Sequence, residues 1–302
     1  MTKIEWVKNA DGTQGRSLNP TVGCSKVSPG CAHCYAECMA MRLKAMGRPE
    51  YQDVVDERGW TGRVNLVPER LDVPMKAKKP TTWFVDSMSD LFHPQVPFSF
   101  VGRVYQAMYD APQHTFLVLT KRPERMKKFF TDWVWSDLPS DDEVNRMHTP
   151  NDYERLCGHI WHGVSISTQK DVDEFIQPLI EIPGRRFVSF EPLLGPIDLD
   201  LFLPIDEDGN RLFNMAWSDY ISGLIIGGES GPLARPMNLR WVRSLIKQAQ
   251  IDEIPTFIKQ LGAYWAKAAL TDDMHTVYQH GDRKGSQTQF WPEGLRVQEL
   301  AW

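Results

Sequence analysis

Four of the chain's five cysteines, Cys24, Cys31, Cys34 and Cys38, crowd into the segment NPTVGCSKVSPGCAHCYAEC from Asn19 to Cys38, while Cys157 stands alone. Thiolates spaced C-x6-C-x2-C are ligands for a soft metal or a cluster, and the spacing by itself leaves three readings open. One is a structural zinc site completed by Cys38 or His33. Another is a [4Fe–4S] cluster held by Cys24, Cys31 and Cys34, with one iron left open. The third is a set of buried, inert cysteines. A zinc knuckle usually brings a second C-x2-C or an H-x3-5-H, and none follows downstream. An odd total of five cysteines, four of them clustered, does not suit a disulfide scaffold and fits a reducing compartment, so a cytoplasmic protein is expected.

The elements that must position these thiols are legible as short apolar runs alternating with amphipathic stretches. Candidate strands are Thr82–Val85, Thr115–Leu119, Ile160–Val164, Phe187–Phe190, Leu224–Gly227 and Thr256–Ile258, each nearly all apolar, as strands buried on both faces must be. Helical patterns lie between them at Phe98–Ala111, Glu124–Thr131, Lys170–Ile180 and Leu239–Ala249. The alternation predicts an α/β fold, a partial (β/α) barrel of about six to seven parallel strands. It is expected to span residues 1–262, with insertions near 132–159 and 204–218, and to be followed by a C-terminal cap or lid over 263–302 that is not an independent domain. In such folds the working residues follow the carboxyl ends of strands. Here those positions read DSMSD from Asp86, TKR from Thr120, SIS from Ser165, EP from Glu191, GES from Gly228 and KQ from Lys259.

Composition limits the partners. Hydrophobic residues at 42% and charged residues at 24% of 302 describe a globular chain, not a disordered one. The longest apolar runs are far too short to span a bilayer, so no membrane partner is expected. With 34 Lys and Arg against 39 Asp and Glu, the net charge of −5 disfavours a broad non-specific duplex-binding surface. Local basic patches remain. Lys121, Arg122, Arg125, Lys127 and Lys128 face only Glu124, and Arg235, Arg240 and Arg243 form a second group.

The pattern NP…GC…GC..CYA resembles the cluster loop of radical S-adenosylmethionine (SAM) enzymes, especially the spore-photoproduct-lyase-like branch. It departs from the usual C-x3-C-x2-C by three extra residues around Val27-Ser28-Pro29. Over nearly its whole length the chain resembles a phage and prophage family with this three-cysteine motif. The landmarks are NPTVGCSKVSPGCAHCYAE, FVDSMSDLFH, LTKRPERM, HGVSIS, SFEPLLGPI, GGESGPLARPM and PTFIKQLG. The resemblance implies a [4Fe–4S] cluster on Cys24, Cys31 and Cys34, SAM as second cofactor, and an electron donor of the flavodoxin or ferredoxin type.

It also implies roles along the rim. Lys121 corresponds to a Thr-Lys that follows a strand in the related branch, where a cation pairs with the SAM carboxylate. Ser87, Ser89 and Asp90 occupy the place where many radical SAM enzymes carry a Gly-Gly-Glu, which is itself missing here. Ser165 and Ser167 are candidates for SAM ribose or methionine, one of the two being expected to face the interior. Glu191 and Glu229 are candidate catalytic carboxylates, for proton transfer or for holding a hydroxyl or amine. Arg122, Ser230 and Arg235 are candidate substrate ligands, the arginines suited to phosphate or carboxylate. Some similar phage proteins are radical SAM isomerases that convert N-linked glycinyl-thymidine in DNA to its C-linked isomer, and that activity is the expectation carried forward. The alternatives are a radical SAM lyase or repair enzyme acting on damaged DNA, and a non-catalytic, zinc-stabilised nucleic-acid-binding module.

Overall fold

A computed structural model describes residues 4–132, 157–199, 216–272 and 274–302. Apolar runs of four to seven residues become the strands β2 (Thr82–Val85), β3 (Thr115–Thr120), β4 (Ile160–Ile166), β5 (Arg185–Phe190), β6 (Gly223–Gly227) and β7 (Thr256–Gln260). Ahead of them lies β1 (Arg16–Leu18), which the apolar pattern did not reveal, because only Leu18 of its three residues is buried. The seven strands lie side by side in chain order, every neighbouring pair parallel, in a sheet curled into a half-barrel. Parallel neighbours need crossovers. Helices α1 (Tyr35–Ala45), α2 (Phe98–Tyr109), α3 (Pro123–Asp132), α4 (Gln169–Ile180) and α5 (Leu239–Ile251) lie in five of these connections. The stretches read as insertions lie outside the described residues except at their margins.

Local chemistry sets several boundaries. Thr168 caps α4, accepting from the Asp171 backbone N–H at 3.4 Å while Asp171 accepts from that of Thr168 at 3.0 Å. Asn238 caps α5 through the Arg240 N–H. The reciprocal Thr168 cap starts α4 two residues after β4 ends, so the polar SIS segment is held at the rim.

The period-two alternation of strands separates two cores. Trp83, Val85, Phe116, Val118, Ile160, Val164, Val188, Ile226 and Ile258 face the helices and pack with residues such as Val104, Phe129, Ile176 and Leu245. Phe84, Leu117, Trp161, Phe187, Ile225 and Phe257 face the concave side, where Trp6 and Val7 complete a second cluster. Trp302 lies 5.8 Å from Trp6, 5.6 Å from Trp161 and 5.6 Å from Phe187, so both ends of the chain meet in this layer. Gly163 is required there, since a Cβ at that position would stand 2.4 Å from the Phe187 ring. The C-terminal tail also covers the edge of the sheet, with Ile258 N–H donating to the Val297 carbonyl and Glu299 N–H to that of Thr256. A short helix, α6 (Ala263–Ala268), joins β7 to that tail.

Candidate functional site

Above the aromatic layer the inward-facing positions turn polar. They line a pocket at the carboxyl ends of the strands, about 1030 Å³ with the open solvent at its mouth included, floored by Trp6, Phe84 and Leu119. Cys24, Cys31 and Cys34 all line it. Cys38, one turn into α1, is exposed, and Cys157 is buried on the helix side. The cysteine loop is pressed onto the sheet at Gly30, where a Cβ would come within 2.1 Å of Ser167 Oγ, so a larger residue would force that serine or the loop to move.

Burial acts on two of the three thiols. Burial, reinforced by Asp90 and opposed by Arg122, pushes the Cys24 thiol up to about 12. Burial also raises Cys34, opposed by the N–H groups of Glu37 and Ala36 at the start of α1. A metal or cluster binding here must displace those protons. Among the described residues no group of three His, Cys, Asp or Glu is disposed to hold a single metal ion. Of the two candidate fourth zinc ligands, Cys38 is exposed and outside the pocket lining, whereas His33 lines the pocket with its Nδ1 3.0 Å from Glu229 Oε2. Three soft sulfur donors lining one pocket have the chemistry to hold an iron–sulfur cluster through three cysteines.

Two guanidiniums hold the cysteine loop, each gripped by a buried carboxylate. Arg122 pairs with Asp90 at 3.3 Å and donates to the Ser25 carbonyl at 3.0 Å and hydroxyl at 2.9 Å, beside Cys24. Asp90 also accepts from Thr120 Oγ1 at 2.6 Å and the Lys121 N–H at 3.1 Å. His93 supports the same serine, its Nε2 lying 2.9 Å from Ser25 Oγ, and burial, followed by the charge of Arg122, lowers this imidazole to about 4. On the opposite side Arg235 donates through Nε at 3.0 Å and Nη2 at 2.6 Å to Glu229, and through Nη2 at 3.1 Å to the Pro29 carbonyl. Glu229 accepts further from the Arg235 N–H at 2.8 Å and pairs with His33, between Cys31 and Cys34. Burial pushes the Glu229 carboxyl up, but these hydrogen bonds and the Arg235 charge outweigh it and hold the group below its ordinary range.

The remaining sequence candidates fall as follows. Ser87 N–H and Oγ both donate to Asn19 Oδ1, and its carbonyl accepts from Tyr35 OH at 2.8 Å. Lys121 Nζ donates to Ser165 Oγ, whose hydroxyl donates to the Glu191 carbonyl at 2.9 Å. Ser165 and Ser167 share a face by strand periodicity, yet only Ser165 lines the pocket, because β4 ends at Ile166 and Gly30 packs over Ser167. Ser230 lines the mouth. Glu191 is paired with Lys259. Asp90, Arg122, Glu229 and Arg235, read from sequence as cofactor, catalytic or substrate groups, are thus engaged with one another and with the cysteine loop.

Sequence reasoning assigned no role to Ser25, Asp86, Ser189 or Lys259, all of which line the pocket. The available signal was a polar residue interrupting or ending an apolar strand, as Ser189 does in RRFVSF. Asp86 accepts from Thr21 N–H at 3.1 Å and Thr21 Oγ1 at 2.5 Å, yet burial still pushes its carboxyl up to about 7.

With this geometry in place, one family matches: the model described as "Protein of unknown function (DUF5131)" covers residues 1–291. The chain belongs to the DUF5131 family. No curated protein and no solved structure matches it. The DUF5131 match takes in all three pocket cysteines and every strand of the half-barrel, an architecture consistent with that of radical SAM enzymes. No helix among the described residues is long and apolar enough to cross a membrane.

Proposed function

We propose that this protein is a radical SAM enzyme that binds a [4Fe–4S] cluster through Cys24, Cys31 and Cys34 and acts on a modified thymidine in phage DNA, isomerising N-linked glycinyl-thymidine to the C-linked form. The observation that supports the reading is the convergence of those three cysteines, without Cys38 or Cys157, on a pocket at the carboxyl rim of a parallel half-barrel. When bound, the cluster and SAM supply a 5′-deoxyadenosyl radical able to abstract hydrogen from a C–H bond.

The chain's own residues have distinct tasks in this reading. Among the described residues lining the pocket, Arg122, Lys259 and His33 each face a carboxylate, whereas the Lys121 ammonium meets only Ser165. Lys121 therefore holds the SAM carboxylate. Trp6, Phe84 and Leu119 keep the floor dry, which protects a reactive species from water. A base must leave the helical stack to reach such a pocket, so single-stranded or flipped DNA is the substrate form, bound weakly and in a salt-sensitive way. Electrons come from a flavodoxin- or ferredoxin-type donor.

The test is anaerobic reconstitution, followed by incubation with reductant, SAM and DNA carrying glycinyl-thymidine. Nucleoside chromatography with mass detection is required, because the isomers share one mass. Formation of 5′-deoxyadenosine and of a new isomeric nucleoside is expected. Lys121→Ala should weaken SAM binding about ten- to hundredfold, the equivalent of one charge-assisted hydrogen bond, without loss of iron. SAM cleavage with the nucleoside unchanged removes the thymidine assignment, and absence of iron from the reconstituted protein removes the cofactor assignment.

A further inference from the structure

Beside Lys121 and Ser165, on the strand next to β4, the pocket wall carries a second polar group built from Ser189, Glu191 and Lys259, with Ser189 the register partner of Ser165. Lys259, nine-tenths buried, extends from β7 across β6 to meet Glu191 Oε1 just beyond β5. Gly227 in the intervening strand leaves room for the crossing, since a Cβ there would stand 3.3 Å from Cγ and Cδ of Glu191. Among the described residues, the pair uses one carboxylate oxygen and one ammonium hydrogen, leaving an acceptor oxygen and two N–H donors. Ser189, two residues before Glu191, is fully buried and lines the same pocket, and its hydroxyl has no hydrogen-bond partner among the described residues. An unpartnered buried hydroxyl is costly, and its position on the cavity wall points to a ligand that completes it.

The charge balance narrows the ligand. The Glu191–Lys259 pair is neutral and mostly buried, so a lone anion or cation bound to that pair alone would leave one charge uncompensated. A zwitterion adds an ammonium for the open carboxylate oxygen and a carboxylate for the spare Lys259 donors, closing a ring of alternating charges with no net change. We propose that Ser189, Glu191 and Lys259 form a subsite for an α-amino-carboxylate group, and that this group belongs to the substrate. The identification with the substrate rests on the function proposed above. SAM carries the same chemistry, but in the function proposed above its carboxylate is held by Lys121 and Ser165 on the neighbouring strand, so the SAM arm of the test decides between the two.

Binding to the full-length protein separates the possibilities, read by ligand-observed NMR and calorimetry and requiring no turnover. Three probes are compared: N-methylglycine as the bare zwitterion, the nucleoside carrying N-linked glycine on its 5-methyl group, and SAM. The wild-type protein should bind the first two, and Lys259→Met should weaken both by about tenfold or more while SAM affinity stays within twofold. Ser189→Ala removes only an unpartnered hydroxyl, so it should fold normally and weaken the same two probes severalfold. It also guards the test should Lys259→Met fail to fold. Lys259-dependent binding of N-methylglycine without binding of the nucleoside supports the subsite and removes the thymidine reading. Unchanged nucleoside and N-methylglycine binding in both variants, no wild-type binding of either, or a loss confined to SAM overturns the proposal.

Discussion

Removing the Glu229 carboxylate tests whether the cysteine loop is held by the sheet. The side chain is 4% exposed and accepts three hydrogen bonds from Arg235 and one from His33. Glu229→Ala strands the Arg235 guanidinium, whose side chain is 30% exposed, and the His33 ring, at 32%. Breaking a fully buried pair costs about 3–5 kcal/mol, and access of water to both partners lowers the expected loss to roughly 2–3 kcal/mol. Concentrated on the loop, that reduces the population with all three thiols in place by about 30- to 150-fold. The measurements are iron and sulfide content after anaerobic reconstitution at limiting iron, together with the unfolding midpoint. Glu229→Gln keeps the shape and most acceptor contacts without the charge, and should fall between wild type and Glu229→Ala. A double-mutant cycle with Arg235→Ala should return a coupling of about 1.5–3 kcal/mol. Because the carboxyl is held below its ordinary range when folded, its contribution is fully present above about pH 4.5 and fades as pH falls through the lower folded value. Full iron loading and an unchanged midpoint in Glu229→Ala would refute the latch and return Glu229 to the catalytic candidates.

Other outcomes follow from the same geometry. Alanine at Cys24, Cys31 or Cys34 should abolish iron and sulfide binding, whereas alanine at Cys38 or Cys157 should retain it; a Cys38→Ala protein as iron-poor as Cys31→Ala would replace three ligands with four. Gly163→Ala forces a methyl into the Phe187 ring, which Trp6 and Trp302 hold in place, and should lower stability by about 1–3 kcal/mol in urea titrations; an unchanged midpoint would show that the aromatic layer yields. Asp86, raised by burial to about 7, retains a proton in the folded state that the unfolded chain has lost, so stability should fall as pH rises from about 4 to 7. Asp86→Asn should flatten that slope, and an identical pH profile in the variant would exclude Asp86 as its source.

Residue types and periods determined the architecture and the location of the site. Apolar runs marked six strands within two residues of their observed ends, and the four helical patterns between them are all present. A strand buried on both faces must be apolar throughout, so where each run turns polar the chain reaches the rim. The spacing of Cys24, Cys31 and Cys34 marked the loop above it. Three-residue β1 was not legible, because a strand with one buried side chain carries no pattern. Nor was the pairing within the rim. Arg122 reaches Ser25 across 97 positions, Glu229 reaches His33 across 196, and Lys259 reaches Glu191 across 68. Sequence chemistry presents each of these as an available charge, and the curl of the sheet with the path of the cysteine loop decides which charges neutralise one another. Of the cations lining the pocket, that leaves Lys121 without a carboxylate partner among the described residues, a property of the assembled half-barrel that no single segment contains.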